Sequence, residues 1–200
     1  MPQTTMTAEE FAANRFDLPD GGRWIELIAG DTVRLEPPDD RHGTTVLNLS
    51  KAFAKASQQA DGPHGYACFD HLIVVQRRPD TVLSPAVSYF RGGTWFSELD
   101  ELISETVPVL VVEIASTNDR RVAMGARVKR YLKRGVEQIW VIDTEESQVH
   151  RYYQNRPSKR LRDHEILFGD SVVPSFQIPV ANLFKEPEWW SHRRDRTQPE

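Results

Sequence analysis

Apolar and polar positions alternate in blocks along this chain, and the clearest block covers residues 107–143. It opens with the apolar run VPVLVVEIA, passes through a Ser-Thr-Asn-Asp turn into a basic stretch of helical periodicity, and closes with EQIWVID. This pattern predicts a strand, a helix and a second strand, the unit from which parallel sheets are built. Asn118 or Asp119 is expected to cap the helix at its start, and Gly135 suits its end.

Shorter elements are predicted on both sides of this unit. Thr7 and Glu10 have the spacing of a capping box, which predicts a helix to about residue 15. Apolar residues recur at helical spacing over residues 43–59, which predicts an amphipathic helix. The predicted extended segments are a hairpin of 23–28 with 32–35, neighbouring antiparallel strands at 66–76 and 81–90, an edge hairpin of 148–154 with 164–168, and an extended stretch at 173–180.

The composition is that of an ordinary globular protein, with 39% hydrophobic and 27% charged residues. We predict one domain over residues 1–184 and a polar C-terminal tail over 185–200. Cys68 is the single cysteine, so no intramolecular disulfide is available and a cytoplasmic location is expected. No apolar run approaches the roughly 18 residues that span a bilayer, so no membrane association is expected. The net charge of -4 means that any nucleic-acid contact must come from a local basic patch.

Glu113 is a single carboxylate within the buried apolar run before the helix. A buried carboxylate is costly unless a metal or a cation pairs with it. One interpretation is a ligand of a hard divalent cation such as Mg²⁺. The other is a structural ion pair with an arginine of the following helix, and the pattern alone favours this second interpretation.

The predicted helix after Glu113 is strongly basic, and a charge run of this kind is more often a solvated face than a phosphate-binding surface. Arg127 is the exception, because it lies close to the apolar stripe of the helix. Glu26 also has apolar neighbours on both sides, so it is a candidate for a second metal-facing carboxylate, with a surface position equally compatible. The histidines have no zinc-ligand spacing, and no phosphate-binding glycine loop is present.

Six segments in order carry a resemblance to a known family: GRWIELIAGD, PPDDRHGTTVLNL, DTVLSPAVSYF, VLVVEIAS, RYLKRGVEQIWVID and VPSFQIPVANLF. The chain resembles the Uma family of bacterial proteins, known as putative restriction endonucleases, over about residues 7–184. This family is similar to the PD-(D/E)xK nuclease superfamily. The resemblance implies an α/β, restriction-endonuclease-like fold with a mixed central β-sheet flanked by α-helices.

The resemblance also implies a chemistry, Mg²⁺-dependent hydrolysis of DNA phosphodiester bonds. Glu113 matches the strand carboxylate that binds the metal, and Glu26 matches an early, auxiliary acid. Arg127 falls where the family places a helical lysine; it keeps the positive charge but cannot act as a general base. Ala86 falls where the metal-binding aspartate is expected.

Two hypotheses follow. The first is a Mg²⁺-dependent endonuclease with a degenerate site, in which Glu113 and Glu26 bind metal and Arg127 contacts the phosphate. Asp80 and Asp70 are then the candidates to replace the missing aspartate. The second is a catalytically inactive protein of the same fold that binds nucleic acid or a protein partner, and Ala86 favours it. DNA is the expected substrate or ligand, and a homodimer is expected only by analogy with other nucleases of the superfamily.

Overall fold

The computed structural model describes residues 5–60, 65–92 and 101–190. Four helices and thirteen strands follow one another in these ranges, with two short 3-10 turns after the first helix. In chain order they are α1 (Ala8–Asn14), β1 (Ile25–Ile28), β2 (Asp31–Arg34), α2 (Asp40–Gln59), β3 (Tyr66–Phe69), β4 (Leu72–Gln76), β5 (Thr81–Leu83), β6 (Val87–Phe90), β7 (Ile103–Ser104), β8 (Leu110–Ala115), α3 (Asn118–Arg134), β9 (Gln138–Asp143), β10 (Gln148–Tyr153), β11 (Lys159–Leu161), β12 (Ile166–Phe168), β13 (Gln177–Pro179) and α4 (Val180–Leu183).

The strands form two mixed sheets and one separate two-stranded ribbon. The first sheet has the order β2-β1-β5-β4-β7, the second β11-β10-β9-β8-β6-β3, and the ribbon pairs β12 with β13. β8 and β9 are parallel and are joined through α3, so the predicted strand–helix–strand unit is confirmed. The α/β fold with mixed sheets and flanking helices is confirmed as well, although the strands divide between two sheets where one central sheet was expected.

The two predicted antiparallel runs at residues 66–76 and 81–90 pair with each other, but they bend together from one sheet into the other. β4 pairs with β5 in the first sheet, and β3 pairs with β6 in the second. The corner falls at Asp70, which has a left-handed φ of 51°, and opposite it at Pro85, which has no N–H to donate to a ladder. The bend separates each run into two strands that belong to different sheets.

The predicted hairpin of residues 148–154 with 164–168 is wrong. β10 pairs with β9 on one side and with β11 on the other, while β12 pairs with β13. A short strand at 159–161 was overlooked because its positions are polar and exposed at two of three residues. The extended stretch predicted at 173–180 is a strand only at Gln177–Pro179. Residues 96–103, whose pattern predicts a short helical turn, fall mainly outside the described residues.

The predicted helices are present, with shifted starts. Thr7 and Glu10 form the capping box of α1. α2 begins at Asp40, three residues before the predicted position, because the Asp39 side chain accepts a hydrogen bond from the His42 N–H. The N-cap of α3 is Thr117 and not Asn118 or Asp119. Gly135 ends α3 in a left-handed conformation, as predicted.

The position of α3 determines where the site is. Apolar residues of α2 pack on one face of the second sheet, around Trp140 and Phe176. Apolar residues of α3 pack on its other face and also contact β4 and β5 of the first sheet. The opposite face of the first sheet packs against α1. The helix α3 therefore lies between the two sheets, and side chains on both can reach it.

Candidate functional site

Glu113 lies on the face of β8 that is turned towards α3. Successive side chains of a strand point to opposite faces. Val111 and Ala115 accordingly contact the α3 side, while Val112 and Ile114 contact the α2 side. The Glu113 side chain points to the same face as those of Val111 and Ala115 and is only 1% exposed. The fold thus places a carboxylate in the apolar layer between a strand and its crossover helix.

Glu26 approaches the same layer from the first sheet. Its neighbours Ile25 and Leu27 pack against α1, so alternation along β1 directs Glu26 to the α3 side. Glu26 is 2% exposed, and its Oε1 accepts a hydrogen bond of 2.7 Å from the Ser84 backbone N–H. The two acids predicted as metal ligands are therefore brought together from different sheets, and both are buried.

Arg127 of α3 lies between these two acids and pairs with both. Its Nη1 and Nη2 donate to the two carboxylate oxygens of Glu26 at 2.5 and 3.0 Å. Its Nε donates to Glu113 Oε1 at 2.9 Å, and Nη2 lies 2.7 Å from the same oxygen. Arg127 is 3% exposed. The guanidinium thus joins the two sheets through a buried ion triad of Glu26, Arg127 and Glu113.

Tyr131 completes this site, although it was not among the predicted site residues. It lies one helical turn after Arg127, and its hydroxyl donates to Glu113 Oε1 in a short hydrogen bond. The i, i+4 spacing with Arg127 was the signal that could have identified it. Burial, and then the Glu113 carboxylate, raises the pKa of Tyr131 well above its usual value, so the phenol stays protonated and donates.

The electrostatics of the triad keep Arg127 charged. Burial alone would lower the pKa of Arg127, but the carboxylates of Glu113 and Glu26 outweigh it and raise that pKa well above its usual value. The guanidinium provides one positive charge against two carboxylates. Tyr131 and the Ser84 N–H provide further hydrogen bonds to the two acids. The arrangement is a satisfied buried ion cluster, as the structural ion-pair interpretation of Glu113 predicted.

The residues present do not fit a Mg²⁺ site. Both oxygens of Glu26 and Oε1 of Glu113 are already bound to the guanidinium. Ala86, at the position where an aspartate was expected, is 4% exposed and belongs to the apolar cluster on the α2 side. Among the described residues, no group of three or more histidine, cysteine, aspartate or glutamate side chains could hold a metal ion.

Neither of the two acids considered as replacements joins the triad. Asp80 accepts hydrogen bonds from the backbone N–H of Ala8 at 2.9 Å and from Arg77 Nη1 at 2.7 Å, so it anchors the start of α1. Asp70 lies nearer to the expected position, because its N–H contacts the Ala86 carbonyl at 3.4 Å. Within the described ranges, its carboxylate makes no hydrogen bond to Arg127 or to either glutamate.

The other basic residues of α3 have varied roles. Arg121 pairs with Asp143 at 2.9 Å. Arg134 donates to the carbonyl oxygens of Val74 at 3.0 Å and Glu105 at 2.7 Å. Arg120 is buried, and its Nε has no hydrogen-bond partner among the described residues. Three of the seven basic residues of α3, including Arg127, are thus paired within the fold, and both lysines of the helix are exposed, as the predicted solvated face requires.

Comparisons with known proteins show a matching family and a similar solved structure. The family model described as "Uma2: Putative restriction endonuclease" matches residues 9–181. A crystal structure titled as a putative nuclease belonging to DUF820 from Anabaena variabilis superposes with a TM-score of 0.72 at 18% identity, covering 90% of this chain and 97% of that one. No curated protein matches the sequence. No helix in the described ranges has the length and hydropathy needed to cross a membrane.

Proposed function

This chain belongs to the Uma2 family of putative restriction endonucleases, and from that membership we propose that it binds DNA without Mg²⁺-dependent cleavage. The observation that carries the proposal is the position of Arg127 between Glu26 and Glu113. A divalent cation at these carboxylates would have to displace the guanidinium, which is the internal counter-ion of both.

The energetic cost of that displacement is large. Separating a buried ion from its partners costs about 3–5 kcal/mol, because a charge is left unpaired away from water. At about 1.4 kcal/mol per power of ten, metal affinity would fall by roughly two to almost four powers of ten. An ordinary Mg²⁺ site with few protein ligands cannot absorb such a penalty. The arginine therefore takes the electrostatic place that a metal ion holds in an active site of this type.

The second candidate function is Mg²⁺-dependent hydrolysis of DNA phosphodiester bonds. Its support is that both Glu26 and Glu113 are retained and are brought into one buried layer. It requires Arg127 to leave the carboxylates when substrate and metal bind. Asp70, beside Ala86, would be the acid closest to the expected third ligand.

The test is to measure binding and cleavage on the same DNA. A labelled duplex and a supercoiled plasmid are incubated with the natural chain in EDTA, in Mg²⁺ and in Mn²⁺. The proposal expects duplex binding that is equal with and without metal and that weakens as salt rises, with the plasmid intact. Absence of binding in low salt would remove DNA as the ligand.

Two variants separate the candidate functions. Metal-dependent cleavage by the natural chain that disappears in Glu113→Gln would overturn the proposal in favour of the endonuclease. The matched control is Glu137→Gln, an exposed acid just after α3. Melting temperatures for each variant report whether the fold is intact, so a loss of cleavage cannot be confused with unfolding.

A further inference from the structure

Asp70, at the corner between the two sheets, lies within electrostatic range of three arginines from separate segments. Arg15 follows α1, Arg23 precedes β1, and Arg120 lies in the first turn of α3. All three act electrostatically on the Asp70 carboxylate. We call Arg15, Arg23 and Arg120 the arginine cluster.

Asp70 does not neutralise this cluster through a direct ion pair. In the part of the chain that the structure describes, Asp70 has no salt bridge with any of the three arginines. Arg120 is 7% exposed, and its Nε is enclosed without a hydrogen-bond partner among the described residues. A buried cation without an acceptor is costly, so an anion beside this guanidinium would stabilise it. Three cations thus act on one acid with no salt bridge to it among the described residues.

The other charges near Arg120 do not supply that partner. Asp119 accepts hydrogen bonds from Thr117 Oγ1 at 2.5 Å, from the Glu36 N–H at 2.8 Å and from the Arg120 N–H at 2.7 Å, so its oxygens are already used. Burial, and then Arg120, lowers the pKa of His42 to about 4, so this histidine is neutral at pH 7. The cluster therefore keeps a net positive charge.

Two of the arginines are held in place by neighbouring groups. Arg15 Nε donates to the Gly22 carbonyl at 3.2 Å, and the Arg23 guanidinium lies 5.8 Å from the centroid of the Trp24 ring. Among the described residues, no hydrogen bond is made by the two terminal nitrogens of Arg15, so they can donate to an anion. The two contacts also reduce the conformational entropy that would be lost when an anion binds.

The cluster adjoins the ion triad. Arg120 lies seven residues before Arg127, which places both on the same face of α3. The Asp70 carbonyl accepts from Ser84 Oγ at 3.1 Å, and the Ser84 N–H donates to Glu26. Ser84 thus links Asp70, on which the cluster acts, to the buried Glu26.

We propose that the arginine cluster binds one phosphate group of the DNA backbone, and that Asp70 opposes this binding. Guanidinium groups bind phosphate through charge-assisted hydrogen bonds, and an adjacent carboxylate repels it. The identity of the ligand as DNA rests on the proposed function. The anion site itself does not, because inorganic phosphate can test it alone.

The experiment measures duplex affinity by fluorescence anisotropy over a salt series. The logarithm of the association constant falls linearly with the logarithm of the salt concentration. Loss of one phosphate contact makes this slope less steep by about 0.9, so affinity at about 0.1 M salt falls roughly eightfold. This result is expected for Arg120→Gln. The control is Lys129→Gln, which removes an exposed positive charge from the same helix and should leave the slope unchanged.

Asp70→Asn provides a test of opposite sign. Asparagine has the shape of aspartate and tolerates the left-handed backbone at this position. Removing the opposing charge should increase affinity several-fold, a gain that loss of stability cannot imitate. Weaker binding by Asp70→Asn, or equal slopes for Arg120→Gln and Lys129→Gln, would overturn the inference while leaving DNA binding by the chain intact.

Inorganic phosphate distinguishes failure of the site from failure of the proposed function. Phosphate is expected to raise the melting temperature of the natural chain more than chloride of equal ionic strength does, and to lose this effect in Arg120→Gln. If the natural chain binds no DNA but shows this phosphate effect, the proposed function fails and the anion site stands. Absence of a phosphate effect in the natural chain overturns the site.

Discussion

Removal of Arg127 should strongly destabilise the protein, because it leaves Glu26 and Glu113 buried without their cation. The perturbation we would make is Arg127→Met, which keeps much of the side-chain volume and removes the charge. Both acids are at most 2% exposed, and the guanidinium donates hydrogen bonds to each. Breaking a buried ion cluster from one side costs about 3–5 kcal/mol. For a chain of this size the melting temperature should fall by roughly 6–20 °C.

The loss should depend on pH. In Arg127→Met, two carboxylates stay buried in one layer without their counter-ion. Burial and a neighbouring like charge both favour the neutral form of a carboxyl group, so acid relieves this cost and a neutral solution restores it. The variant should therefore lose more stability at pH 7 than at pH 5. Chemical denaturation followed by tryptophan fluorescence measures both values.

A second substitution isolates the cause. Adding Glu26→Gln to Arg127→Met removes one of the two stranded charges, so the double variant should be less destabilised than the sum of the single variants. Lys129→Gln is the control on the same helix and should change stability by less than about 0.5 kcal/mol. A loss below about 1 kcal/mol for Arg127→Met, or an equal loss at pH 5 and pH 7, would refute the ion triad as described.

Three further predictions concern stability. Burial and Arg120 lower the pKa of His42 to about 4, so the unfolded chain binds a proton at this histidine before the folded chain does. The free energy of unfolding should therefore fall by up to about 3 kcal/mol as pH drops from about 6.5 to 4, and denaturation curves of His42→Gln should lack this pH dependence. Burial alone would raise the pKa of Asp80, but its hydrogen bonds hold that pKa below its usual value. Its contribution to stability is therefore present above about pH 4 and is lost in acid. Asp80→Asn should lower the free energy of unfolding by roughly 1–3 kcal/mol at pH 7, and an unchanged loss of stability in acid would contradict this. Gly135→Ala should lower the free energy of unfolding by about 1–2 kcal/mol, because φ is +107° at this position. Gly125→Ala, within α3, should raise it by about 0.5–1 kcal/mol. Calorimetric melting of the two variants checks both signs.

Much of the fold was accessible from the sequence because its elements are locally determined. The apolar run before α3, the capping box at Thr7 and the glycine at the end of α3 each depend on residues within a few positions. Periodicity alone identified Glu113 as a buried carboxylate and Arg127 as the arginine beside the apolar stripe. Glu26 was indicated by its apolar neighbours and again by the family resemblance, and the match to the family model confirms the family.

The division of strands between sheets was not accessible in this way. Residues 66–76 and 81–90 have the pattern of two long antiparallel strands, and only the left-handed Asp70 opposite Pro85 turns them from one sheet into the other. The pairing of β12 with β13 was missed for a related reason. Strands of only three residues acquire their partners from tertiary packing, since so short a run specifies no register by itself.

The sequence by itself determined that Glu113 would be buried, because it lies in a run whose remaining positions are apolar, and that Arg127 would lie beside the apolar stripe of its helix. Only the tertiary structure decided what those charges do. α3 lies between two sheets, so Arg127 can pair with an acid on each of them. Glu26 is 101 residues away from Arg127 along the chain, and Glu113 is 14 residues away. The sequence left a metal ligand and a structural ion pair open for Glu113. The arrangement favours the ion pair, because a carboxylate oxygen bound to a guanidinium is not available to a cation without breaking that contact.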